Sequence, residues 1–182
     1  MDTQNLTTPK RYNTVAQALH WTMAALLIYL IFFSQYEEVS DALMEQKIQL
    51  HSGLGTIVLA LGLFRFYWRK NRPRPAPVET GPPWQKKASE FVHHLFYAIF
   101  LLSPAIGFIL AALVSYPVRI FGGLEVSSWL QDNEAAADIV NSLHGLTADI
   151  LTALLVVHVA AAIYHHFIKR NGLIWRMLPF DR

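Results

Sequence analysis

The chain has 182 residues, 53% of them hydrophobic, with a positive mean hydropathy; soluble domains hold about 45–50% apolar residues, so one membrane domain is the first expectation. The 15 lysines and arginines against 13 acids leave a formal charge of +2, which says little about partners. The lack of cysteine excludes disulfides, thiolate-held iron–sulfur clusters and covalently attached haem.

In chain order, a mostly polar arm precedes an apolar run over 15–33. No small-residue cleavage pattern follows it before the acidic stretch from Glu37, so it reads as a retained span rather than a removable signal. Further apolar runs cover 48–68, 91–114 and 143–167. About 20 helical residues cross a hydrocarbon core about 30 Å thick, and backbone groups in lipid must pair within their own segment. The expected fold is therefore all-α: an integral membrane four-helix bundle, one domain over 1–182. The segment 72–85, with Pro73, Pro75, Pro77, Pro82 and Pro83, reads as an extended interfacial loop. Within the third span, Pro104 with Gly107 is expected to bend the helix.

Short cytoplasmic loops carry the excess of lysine and arginine. Here those residues fall in the N-terminal arm (Lys10, Arg11), around the second loop (Arg65, Arg69, Lys70, Arg72, Arg74, Lys86, Lys87) and in the tail (Lys169, Arg170, Arg176, Arg182). The other two loops hold only Lys47 and Arg119 against Glu37, Glu38, Asp41, Glu45, Glu125, Asp132, Glu134 and Asp138. Both termini are therefore expected in the cytoplasm. Basic patches in this setting set topology, and no nucleic-acid partner is expected.

Four of the 8 histidines lie within spans: His20 in the first, His51 in the second, His144 and His158 in the fourth. Ionisable groups there are costly and tend to be functional. His144 and His158 are separated by about 3.9 turns and about 21 Å of rise, so they share one side of a helix at two depths. With alternating span directions, His158 matches His20 in depth and His144 matches His51. Two imidazoles facing each other across a bundle suit the axial positions of haem iron, so two haems b are expected, with ligand pairs His20/His158 and His51/His144. A lone intramembrane histidine is often only a helix–helix hydrogen-bond partner, and zinc or non-haem iron sites gather three or more ligands at one depth; the two-plus-two pattern fits neither.

Gly53 and Gly55 near His51, Gly145 near His144 and Ala160, Ala161 and Ala162 near His158 are small enough to let a flat ring approach. Arg65, fourteen residues after His51, shares that helix face at the depth of the inner pair and is a candidate propionate partner, with snorkelling to headgroups as the alternative. His93, His94, His165 and His166 lie at the cytoplasmic side, where anchoring or exposure is the default and a propionate or quinone role the alternative. Asp149 is the one acid within a span, either a proton-relay group or a residue facing water. Trp21, Tyr67, Trp68, Trp84 and Trp175 read mainly as an interfacial belt.

These features resemble the prokaryotic cytochrome b561 family, relatives of the cytochrome b subunits of hydrogenases. The resemblance covers nearly the whole chain and rests on Ala18-Leu19-His20-Trp21, His51 with Gly53 and Gly55, Leu63-Phe64-Arg65 with Arg69, His93, Pro104-Ala105-Ile106-Gly107, Leu143-His144, His158, and the closing Tyr164-His165-His166-Phe167 with Lys169, Asn171, Leu173, Arg176, Met177 and Pro179. It implies a four-helix bundle holding two haems b at His20, His51, His144 and His158 and exchanging electrons with a membrane quinone in the bacterial inner membrane. Some members are assigned superoxide-to-ubiquinone electron transfer. Arg170 and Gly172 depart from tails that often have an acid and a threonine there.

The expected function is a membrane electron carrier or quinone-linked oxidoreductase, with no protein nucleophile or general base and with its donor unidentified. The alternatives are a non-enzymatic metal or haem transporter, and an anchor subunit for a peripheral dehydrogenase.

Overall fold

Each apolar run becomes a helix, and in the computed structural model the helices outrun the lipid-compatible segments that nucleate them. The structure describes residues 11–33, 40–76, 82–114, 118–121, 123–127, 129–130 and 133–180. Lys10, Glu37, Glu38, Pro77, Asp132 and Arg182, used above for charge and loop placement, lie outside these residues. Helix α1 spans Thr14–Phe33, α2 Asp41–Asn71, α3 Pro83–Leu113 and α4 Glu134–Ile163, and all four are long and apolar enough to cross a membrane.

The extra turns carry their own start signals. Asp41 places a carboxylate in the first turn of α2, where it meets the positive end of the helix dipole. Asn133 caps α4 by accepting from the Ala136 N–H at 3.0 Å. Pro83 occupies the first turn of α3, where a missing N–H costs nothing. The expected loop 72–85 therefore ends earlier: 83–85 is already helix. Pro104 stays inside α3, which runs on to Leu113.

Helix α1 packs on α2, α2 on α3, and α3 most closely on α4, while α4 stands off from α1 and α2. Midway along the bundle, Met23, Leu27, Val58, Phe96, Ile99, Phe100, Leu151 and Leu154 form the core. Gly62 lets α2 meet α3 there: a Cβ on it would lie 3.2 Å from Phe100 Cβ. Outward-facing side chains such as Phe32, Leu63, Val156 and Ile163 are large, apolar and exposed, which water would not tolerate but lipid does.

At the end of the bundle where α2 and α4 begin, expected from the charge pattern to be the outer one, strands β1 (Arg119–Ile120) and β2 (Leu124–Glu125) pair antiparallel. Val118, Ile120 and Val126 bury against Ala111. The hairpin is fastened to α2: the Arg119 N–H donates to Gln49 Oε1 at 2.5 Å, and the Phe121 ring lies where a Cβ on Gly53 would be 3.2 Å away. Arg119 donates to Glu125 at 3.0 Å, and this bond, with a second from Ser127, holds the exposed Glu125 carboxyl below its ordinary pKa.

At the other end, α4 runs into a π-helical turn, Tyr164–Ile168, then a 3₁₀ turn, Leu173–Arg176. Between them the chain reverses through Arg170 and Gly172, both at positive φ (49° and 71°). The departure to glycine at 172 therefore suits a left-handed position. The tail returns to the start of α1: the Tyr12 N–H donates to Arg176 O at 3.2 Å, Trp21 Nε1 to Met177 O at 2.8 Å, and Arg11 to Leu178 O.

Candidate haem sites

The rise of α4 places His144 and His158 toward opposite ends of the bundle, and each meets an imidazole from another helix. His51 and His144 have ring centroids 5.8 Å apart with planes at 80°; His20 and His158 are 6.0 Å apart at 65°. A metal–imidazole bond is about 2 Å long and a ring nitrogen lies about 1 Å from its centroid, so two imidazoles on opposite sides of one metal have centroids about 6 Å apart. Both pairs match. The helices bearing them, α1 with α4 and α2 with α4, are the ones that stand apart, so a flat group between them would part no closely packed pair. Gly55, one turn beyond His51, and Gly145, next to His144, face open space. Gly53 does not belong to that cradle, because the Phe121 ring covers it. By ring spacing and helix separation, the residues present fit haem at both pairs.

In the outer pair, His144 is oriented by a hydrogen bond. His144 Nδ1–H donates to the Ser103 carbonyl at 3.1 Å, the outer-shell contact that leaves Nε2 free to ligate a metal. Thr147 Oγ1 donates to the His144 carbonyl at 2.7 Å and lies 2.9 Å from Ser103 Oγ. Gly107 makes this seat possible, since a Cβ there would come within 3.2 Å of His144 Cε1. The Pro104–Gly107 segment, read from sequence as a bend, thus supplies the wall against which His144 rests.

The inner pair has more company. Arg65 lies beside His20: Nη1 donates to Ala16 O at 3.1 Å, and Nη2 is 3.5 Å from His20 Nδ1. At that distance the second contact is proximity more than a bond. Trp21 sits edge-on to His20 at 5.3 Å, and Phe96 to His158 at 5.6 Å.

His93 is not the interfacial anchor expected. Its ring is 6.0 Å from His158, and its Nδ1–H donates to Ser89 O at 2.7 Å. Ring spacing alone does not separate His93 from His20 as the partner of His158. Backbone packing does: α3 and α4 are closely apposed, and a macrocycle between His93 and His158 would have to part them. Spacing along the sequence carries no such lateral information, although the depth of His93 at the inner end was a usable signal.

The remaining candidates are elsewhere. His94 is exposed and Asp149 faces outward. His165 is half-buried, with Nδ1 accepting from Asn171 Nδ2 at 2.9 Å, and His166 packs on Trp175 at 5.8 Å; both shape the tail rather than face headgroups. Among the described residues no group of three or more His, Cys, Asp or Glu side chains is arranged to hold a bare metal ion.

A four-helix membrane bundle with histidine pairs stacked along one helix defines the class: a membrane cytochrome b. A family model described as prokaryotic cytochrome b561 matches residues 11–180. Cytochrome b561 homolog 2 of Escherichia coli (strain K12) is 30% identical over 179 residues, covering 94% of this chain and 93% of its own. Cytochrome b561 homolog 1 of the same organism is 29% identical over 133 residues (72% and 74%), and the probable superoxide oxidase CybB of Yersinia pestis is 25% identical over 176 residues (95% and 98%). The chain belongs to the prokaryotic cytochrome b561 family. It is a multi-pass protein of the bacterial inner membrane that binds haem b and transfers electrons.

Proposed function

We propose that the chain, one domain over 1–182 with both termini cytoplasmic, holds two haems b on His51/His144 and His20/His158 and exchanges electrons with a membrane quinone. The observation carrying this reading is the two histidine pairs, each at metal-bridging separation and each borne by helices that stand apart, with His93 as a third imidazole at the inner one. Bound haem supplies reversible one-electron chemistry. The chain orients and tunes it. Ser103 O keeps the His144 Nδ1 proton in place, so Nε2 would be the atom that holds the iron. Arg65, beside His20, is placed to balance a propionate and adds positive charge at the inner site. The apolar core between the two levels excludes water.

The Yersinia relative's name raises superoxide as a donor. Superoxide is an anion, whereas the outer loops hold only Lys47 and Arg119 among a surplus of acids, and Glu125 neutralises Arg119 at 3.0 Å. That face repels an anion rather than steering it, so a neutral or cationic donor fits better. Anaerobic addition of a short-chain ubiquinol to the oxidised purified protein is expected to raise the ferrous haem absorbance, and the matching ubiquinone to discharge it. If neither exchange occurs while dithionite still reduces the cofactor, quinone drops out of the account.

A further inference from the structure

Toward the end of α2, Arg65 and Arg69 lie one turn apart on one face, and Arg72 follows just past the helix end. Arg74, just past Pro73, joins them in lining a narrow crevice against the first turn of α1. Two heads are held in place by rings: the Arg69 guanidinium is 5.7 Å from the Tyr97 centroid, and that of Arg72 is 4.7 Å from Trp68. Trp68 is itself fixed by its Nε1–H donating to Asn13 Oδ1 at 3.0 Å.

Arg65 already serves Ala16 and His20. Among the described residues, no carboxylate lines the crevice and none pairs with Arg69, Arg72 or Arg74. Topology requires basic residues at this end, but it does not require guanidiniums converging on one crevice beside the start of another helix, whose dipole adds further positive potential. Their mutual repulsion is relieved by a bound anion. Guanidinium forks match phosphate oxygens, and basic pockets between helices at headgroup level suit lipid phosphates. An apolar track leads inward from the crevice: Phe64, four residues nearer the bilayer centre and exposed, has its ring 5.7 Å from that of Trp68. A free phosphate has no use for such a track, but an acyl chain does.

We propose that this crevice binds the phosphate headgroup of an anionic membrane phospholipid, with an acyl chain along Trp68 and Phe64. The proposal rests on the membrane-spanning fold and not on the histidine assignments. Its test uses purified haem-loaded protein exchanged through detergent in phosphatidylglycerol or phosphatidylcholine, with retained lipid counted by native mass spectrometry. Wild type is expected to keep phosphatidylglycerol preferentially, and the combined variant Arg69→Gln, Arg72→Gln, Arg74→Gln to retain it about tenfold more weakly, with an unchanged haem spectrum. Excess inorganic phosphate should not displace the lipid. Arg72→Gln alone, expected to show a smaller loss in the same direction, serves if the triple variant does not fold. Equal retention of both lipids by wild type, equal retention by wild type and variants, or displacement by phosphate would overturn the proposal. So would loss of haem with lipid retention intact, which would assign these arginines to the cofactor.

Discussion

The two ends of the bundle hold their histidines by different means. At the outer end, His144 is set by neutral hydrogen bonds to Ser103 and buttressed by Gly107 and Thr147, while the hairpin covers the neighbouring Gly53. At the inner end, His20 and His158 sit among His93, Phe96 and Trp21, with the Arg65 charge beside them. On the proposed ligation, the contrast teaches that one ligand motif is built twice for different electrostatics. A cation favours the form with one more electron, so the inner haem should have the higher potential and electrons should run downhill from outer to inner.

This comparison can be broken most severely at Gly107. With a Cβ already within 3.2 Å of His144, Gly107→Leu should displace that ring; haem analysis is expected to show loss of the outer cofactor alone, and loss of both or of neither would dissolve the distinction between the sites. A smaller effect is expected from Arg65→Gln. It should lower the inner haem's midpoint by on the order of 50 mV, given that about 59 mV is a tenfold change for one electron, and leave the outer one in place. Potentiometric titration reads both, and an equal shift at both sites would contradict the inner placement of the charge. Smallest is Thr147→Val, which removes the neutral hydrogen bonds of Oγ1 to the His144 carbonyl and Ser103 Oγ, each worth about 1 kcal/mol. Outer haem should dissociate several-fold faster in an apo-globin capture assay, with the inner rate unchanged.

Much of this was legible in the sequence, and the failures have physical causes. Hydropathy found all four spans, because the bilayer demands apolar length. It missed the helix ends, because it stops where lipid stops while hydrogen bonding does not: α2 begins at Asp41 and α4 at Glu134, each well outside its apolar run. Pro83 looked like part of a loop because proline breaks helix interiors, yet it occupies the first turn, where it is tolerated. The hairpin left no trace, since strands of two residues have no periodicity to read. Helical rise paired the histidines by depth, and in the structure the ring centroids of those pairs lie 5.8 and 6.0 Å apart. Depth says nothing about which helices are lateral neighbours, so His93 beside His158 and Gly107 beneath His144 came only with the packing.

His93 makes the ligand assignment testable in one experiment. Haem content and the reduced-minus-oxidised spectrum should be measured for His20→Ala, His51→Ala, His144→Ala, His158→Ala and His93→Ala. Wild type and His93→Ala are expected to hold two haems. His20→Ala and His158→Ala should lack the same haem, and His51→Ala and His144→Ala the other. A His20→Ala protein that keeps both haems, beside a His93→Ala protein that loses one, would contradict the ligand assignment.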